Sequence, residues 1–158
     1  VMQEGGSVLS PYKLTHSEIF IEETIGEGSF GTVYRGTLRG QSVAIKTVRA
    51  TKVSQKAVED FRGELLVMAP LRHPNLVELI GGCWDDGPEK LALVLEFCAN
   101  GALNDLLKRP GKLAWSKPLG ECARGVARCF RYLHHEQPKN PWGNKDAAAA
   151  VQNAWGVK

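Results

Sequence analysis

The chain has 158 residues, 43% of them hydrophobic and 23% charged, with a formal net charge of +3. That length supports one ordinary domain with an apolar core, and the composition is that of a globular protein rather than a disordered or fibrous one. So small a net charge gives no ground for nucleic acid or an anionic membrane surface as partner, and no apolar run approaches the roughly 18 residues a membrane span requires.

In chain order, Val1 to Tyr12 carries Gly5, Gly6, Ser7 and Pro11 and reads as a linker or mobile lead-in, with the boundary placed at residue 15. It lacks the basic n-region and apolar stretch of a secretory signal, and a first residue Val1 rather than Met hints at an N-terminus other than the natural one. Phe20 to Ile25, Thr32 to Leu38 and Ser42 to Val48 are rich in β-branched and aromatic residues and predict three strands. The short Arg39-Gly40-Gln41 connection makes the last two a hairpin.

A helix follows, with Val58, Phe61, Leu65 and Met68 on one stripe, Ser54 as its cap and Pro74 barring continuation past His73. Leu76 to Trp84 and Leu91 to Phe97 predict two more strands around the turn-like Asp85-Asp86-Gly87-Pro88. Ala102 to Lys108 predicts a short helix. A longer one opens at Ser116 or Lys117, with Ala123, Val126, Ala127, Phe130 and Leu133 on one face and Arg124, Arg128 and Arg131 on the solvated side. Beyond Pro138 the pattern fails at Asn140-Pro141-Trp142-Gly143-Asn144. Cys83, Cys98, Cys122 and Cys129 have neither CxxC nor metal-ligand spacing, which points to reduced thiols and an intracellular, cytoplasmic setting.

Gly26-Glu27-Gly28-Ser29-Phe30-Gly31-Thr32-Val33 is a G-x-G-x-x-G-x-V segment. By itself such a segment says little, because turns collect glycine for conformational reasons. A dinucleotide fold would open a helix at the third glycine and place an acidic residue about 20 positions on. Here the strand-like Thr32-Val33-Tyr34-Arg35 follows, and position 46 is Lys. A Walker A loop would need Gly-Lys-Ser/Thr, which is absent. A strand–glycine–strand flap over phosphates fits better. Lys46 ends Val43-Ala44-Ile45-Lys46 on the third strand, where a lysine among apolar residues is either an exposed edge residue or one with an ionic partner. Glu64, between Phe61 and Leu65 beside the buried stripe, is the candidate partner.

Together with Leu71-Arg72-His73-Pro74-Asn75-Leu76-Val77, these features resemble the small lobe of a protein kinase, in the style of the tyrosine-kinase-like group of serine/threonine kinases or of tyrosine kinases themselves. Leu93 to Leu103 is similar to that family's strand-to-hinge segment, and Val126 to His135 to the helix leading into its catalytic loop. The resemblance implies an α+β fold: a five-stranded antiparallel sheet plus one helix, followed by an incomplete helical large lobe. Its divisions would be a lead-in at 1–15, an ATP-binding small lobe at 16–98, hinge and first large-lobe helices at 99–137, and a poorly ordered tail at 138–158. By the same resemblance, Gly26, Gly28, Ser29, Phe30 and Gly31 would cover the phosphates of ATP, and Ile25, Val33, Ala44 and Leu95 would line the adenine pocket, with Leu95 as gatekeeper. Backbone groups of Glu96 and Cys98 would bond the adenine edge, Lys46 held by Glu64 would contact the α- and β-phosphates, and Asp105 would lie near a ribose or substrate contact. His73 would be a structural turn residue.

The family's H-R-D-x-x-x-x-N and D-F-G, which supply the base and the Mg²⁺ ligands, are absent. His134-His135-Glu136 has no following Arg-Asp, and Val151 rather than Asn stands five residues past Asp146. The expectation is therefore an ATP-binding portion of a protein kinase that does not catalyse alone, with no metal ligands, weak or no ATP affinity, and a pattern lost after Lys139 as in a truncated or mis-spliced frame. The alternatives are a catalytically dead kinase-like binding or decoy module, and an unrelated nucleotide-binding α/β protein.

Overall fold

A computed structural model describes residues 8–28, 31–48, 55–84, 87, 90–108 and 115–136. Five strands form one antiparallel sheet in the order β1-β2-β3-β5-β4. They are β1 (Ile19–Glu27), β2 (Gly31–Leu38), β3 (Gln41–Val48), β4 (Leu79–Cys83) and β5 (Ala92–Glu96). The helices are α1 (Gln55–Met68) between β3 and β4, then α2 (Leu103–Lys108) and α3 (Leu119–Arg131) after the sheet.

The β2–β3 hairpin closes on a two-residue turn. Leu38 pairs with Gln41, while Arg39 (φ 49°) and Gly40 (φ 82°) both take the left-handed conformation such a turn demands. The strand alternation then sorts side chains to two faces. Val43, Ile45, Ala92 and Val94 join Ile19, Leu38 and Cys83 in one apolar cluster. Leu79, Leu93 and Leu95 face the other way and bury the Phe61, Leu65 and Met68 stripe of α1. β5 is apolar on both faces, so it reads as an unbroken run rather than an alternating one.

The structure differs from expectation in four places. Part of the expected lead-in is seated on the sheet: Leu9 and Leu14 are buried, Leu14 N–H donates to the Gly82 carbonyl (2.9 Å), and Lys13 bridges Gly82 in parallel along the outer edge of β4. A sheet edge with unpaired backbone groups gains from such a cover. β4 starts at Leu79 rather than Leu76, because a turn from His73 to Leu76 (N–H to carbonyl 3.0 Å) holds the chain away from β5. β1 is longer than expected at both ends, its pairing with β2 running from Ile19 to Glu27 through two register shifts. α3 opens at Leu119, not at Ser116 or Lys117, since Pro118 takes the capping position and restricts the residue before it. Ser54, the Asp85-Asp86 turn and the 138–158 tail lie outside the described residues.

Candidate functional site

Register places the predicted site residues on one face of the sheet. Val33 pairs with Lys46, and Lys46 with Leu93; one rung on, Arg35 pairs with Ala44, and Ala44 with Leu95. Residues directly opposite share a face, so Val33, Ala44, Lys46 and Leu95 all point toward the side that carries α1. Leu95 is buried in the core cluster, Val33 and Ala44 are half-buried, and Ile25 at the far end of β1 is exposed.

Glu64 reaches this face from the middle of α1. Its two carboxylate oxygens accept hydrogen bonds from Lys46 Nζ at 2.8 and 3.0 Å. Both side chains are largely withdrawn from water, 19% and 18% exposed. Phe61 and Leu65, which flank Glu64 on the helix, are anchored in the core at 4% and 0% exposure. The helix phase that buries them therefore fixes where the carboxylate stands. The fold thus brings the two residues singled out in the sequence together as an ion pair.

The glycine turn joins β1 to β2, and Gly28 N–H donates to the Gly31 carbonyl across it (2.9 Å). Ser29 and Phe30, at its tip, lie outside the described residues. Crowding within the chain does not explain its first two glycines. A side chain at Gly28 would meet nothing within 4 Å, and one at Gly26 would meet only Val33 Cβ at 3.9 Å. Gly36 and Gly81 are the contrast: a Cβ there would come within 2.3 Å of the Phe20 carbonyl oxygen and 2.6 Å of that of Tyr12.

At the end of β5, Glu96 N–H is committed to the Glu78 carbonyl (3.0 Å), and Gly101 N–H closes a turn on Cys98 (3.0 Å). The Cys98 thiol is pushed up from its ordinary value by burial first, then by the neighbouring Glu96 carboxylate and its hydrogen bond. Arg35 spans the mouth of this face, 3.1 Å from both Glu22 and Glu23 on β1, with its guanidinium 5.7 Å from the centre of the Phe97 ring. Asp105 is exposed in the first turn of α2, and His73 is stacked on Tyr132 with ring centres 5.1 Å apart.

Sequence reasoning missed a polar cluster behind α1. Arg72 lies over the Tyr12 ring (5.6 Å), donates to the Tyr12 hydroxyl (2.7 Å), pairs with Glu78 (3.2 Å), and through its backbone N–H donates to the Tyr132 hydroxyl (3.0 Å). The signal available for Tyr12 was the apolar spacing Leu9, Tyr12, Leu14 inside a stretch otherwise made of turn residues.

Comparison with protein families matches residues 19–138 to "Protein tyrosine and serine/threonine kinase". Over 130 residues the chain is 38% identical to mitogen-activated protein kinase kinase kinase 10 of Mus musculus, covering 81% of this chain and 13% of that protein. Over 126 residues it is 38% identical to the serine/threonine-protein kinase TNNI3K of Mus musculus, covering 79% and 15%. It is also 44% identical over 116 residues to the leaf rust 10 disease-resistance locus receptor-like protein kinase-like 2.5 of Arabidopsis thaliana, covering 72% and 16%. The chain thus spans a small part of each relative's length. With a glycine turn between paired strands, a strand lysine held by a helix glutamate, and this match over most of its length, the chain belongs to the protein tyrosine and serine/threonine kinase family.

Proposed function

We propose that this chain is the ATP-binding portion of a protein kinase that, in its complete domain, transfers phosphate from Mg-ATP to protein serine or threonine, with tyrosine as the other acceptor class. The observation that carries the reading is the Lys46–Glu64 pair, 2.8 Å apart on the face that Val33, Ala44 and Leu95 share. A lysine held by two oxygens of one carboxylate keeps a fixed direction and still has a third hydrogen for a phosphate oxygen. The open space over Gly26 and Gly28 supports the same reading, since it leaves room for a phosphate group to lie close against the backbone of the turn. At the adenine edge, Glu96 would contribute its carbonyl, its N–H being taken by Glu78.

The donor set does not fit Mg²⁺. Neither H-R-D-x-x-x-x-N nor D-F-G occurs in the sequence, and among the described residues no three His, Cys, Asp or Glu side chains converge to hold a metal ion. What its residues do is bind, orient and partly screen the nucleotide. A second reading, a kinase-like binding or decoy module, draws on α3, where Val126 (50% exposed) and Phe130 (57%) present an uncovered apolar stripe.

An adenosine carrying a sulfonyl fluoride at the phosphate position tests the proposal. Lys46 is expected to be the labelled residue, with excess ATP protecting it and Lys46→Met abolishing the adduct. Labelling that ATP does not slow, or that falls on surface lysines alone, would refute nucleotide binding and favour the module. No phosphate transfer to a general protein substrate is expected from the 158-residue chain.

A further inference from the structure

The segment ahead of β1 is built into the face of the lobe that holds Glu64. Leu9, 3% exposed, sits in the same cluster as Phe61, Leu65 and Met68 of α1, and Tyr12 packs against that cluster. The Tyr12 hydroxyl donates to the carbonyl of Ala69, the first residue past α1 (2.5 Å), and accepts from Arg72 Nη2 (2.7 Å). Two residues on, Leu14 N–H bonds the Gly82 carbonyl on β4 (2.9 Å). Residues 9–14 therefore touch the end of α1 with one half and the outer strand with the other.

Gly81 shows how closely the segment is seated. A Cβ at that position would stand 2.6 Å from the Tyr12 carbonyl oxygen and 2.8 Å from Leu14 Cδ1. Nothing larger than glycine fits beneath it without displacing it. On its sheet-facing side, α1 is anchored by a short row of apolar residues, and only this segment and the chain around Arg72 hold the helix's C-terminal end by hydrogen bonds among the contacts described. Helices anchored by one apolar stripe slide or tilt when an end is released, and a carboxylate in mid-helix moves with them.

We propose that residues 9–14 are a positioning strap: through Leu9 and the Tyr12 hydroxyl they fix the placement of α1 and so hold Glu64 on Lys46. Tyr12 is then a positioning residue for the ion pair, not a ligand contact. The importance of the strap rests on the nucleotide reading of that pair, but its existence does not.

The test uses the full chain without nucleotide, in wild-type, Tyr12→Phe, Leu9→Ala and Leu38→Ala forms. Leu38 is buried in the other apolar cluster, which includes Leu14 of the strap but neither Leu9 nor Tyr12, so Leu38→Ala lowers stability while leaving both strap contacts with α1 in place. Each protein is acetylated briefly with a small activated ester, and mass spectrometry gives the ratio of modification at Lys46 to that at Lys56, an exposed lysine on the same helix. Amide hydrogen exchange across α1 is read in parallel. Tyr12→Phe, which removes one oxygen atom, is expected to raise the ratio severalfold and to quicken exchange in Gln55–Met68; Leu9→Ala is expected to do more. Leu38→Ala, compared at equal distance below its melting temperature, is expected to keep the wild-type ratio. Two results overturn the proposal: strap variants that lose stability with the ratio unchanged, or a Leu38→Ala ratio that rises as far as theirs. The reagent reads the pair whether or not ATP binds, so a failure here leaves the nucleotide proposal standing, and failure of adenosine labelling leaves the strap standing.

Discussion

Replacing either member of the Lys46–Glu64 pair should cost more than a surface ion pair and should be largely reversed by replacing both. Exposed pairs contribute about 0–1 kcal/mol; stripping one partner from a fully buried pair costs about 3–5 kcal/mol, because the other charge is left without compensation. With side chains 19% and 18% exposed, this pair lies nearer the buried limit, and a loss of about 2–3 kcal/mol is expected for Lys46→Met or Glu64→Leu. For a chain of this size that corresponds to roughly 4–12 °C in melting temperature. The double variant puts two apolar side chains of similar volume in contact beside Phe61 and Leu65, and its loss is expected to be smaller than either single loss. Urea titrations of the four proteins give the coupling energy, which should be about 2 kcal/mol or more. Single losses that add within about 0.5 kcal/mol would mean the two charges are independent in solution, and the reasoning from their burial would be wrong.

Gly36→Ala is expected to destabilise the chain by about 1–3 kcal/mol, since the new Cβ would press on the Phe20 carbonyl oxygen at 2.3 Å and Ile45 Cδ1 at 2.5 Å, whereas Gly28→Ala should be near neutral for folding in the same melt. The Glu18 carboxyl is lowered from 4.5 to about 2, first by the Thr15 backbone N–H, then by Arg39 and the Thr15 hydroxyl. An unfolded chain takes up that proton near 4.5 and the folded one only near 2, so the Glu18 contribution is complete above the upper value and is lost as pH falls through the lower one. Melting curves across that acid range should fall less steeply for Glu18→Gln than for wild type. Cys98, its thiol raised by burial and by Glu96, is expected to react with iodoacetamide more slowly than an unhindered thiol at neutral pH, and Glu96→Gln should quicken it.

Local chemistry was what the sequence made legible. A two-residue turn between Leu38 and Gln41 fixes the β2–β3 register, and that count alone puts Val33 opposite Lys46. The stripe of Phe61, Leu65 and Met68 fixes the phase of α1 and with it the side on which Glu64 emerges. Long-range choices were not legible. Periodicity says nothing of which strand neighbours which, so the insertion of β5 between β3 and β4 could not be read. The strap was hidden for the same reason: Leu9, Tyr12 and Leu14 lie among turn-forming residues, and their burial is decided by the space above Gly81, far along the chain. Arg72 reads locally as one more charged turn residue, and only the fold brings Tyr12 and Tyr132 to it from opposite directions.

Strand order also dictates an order of assembly. β1, β2 and β3 are joined by short connections and pair with their immediate successors, so that meander can close early, at small loop-closure cost. β4 cannot join it, because its place beside β3 belongs to β5 and its own ladder is made with β5 alone among the five strands. Until β5 arrives, the backbone partner that the described residues offer the apolar Leu79–Cys83 segment is the parallel bridge between Lys13 and Gly82. Residues 13 and 14, which lie along that edge in the finished sheet, are thus placed to cover the strand's open backbone groups while the sheet is incomplete.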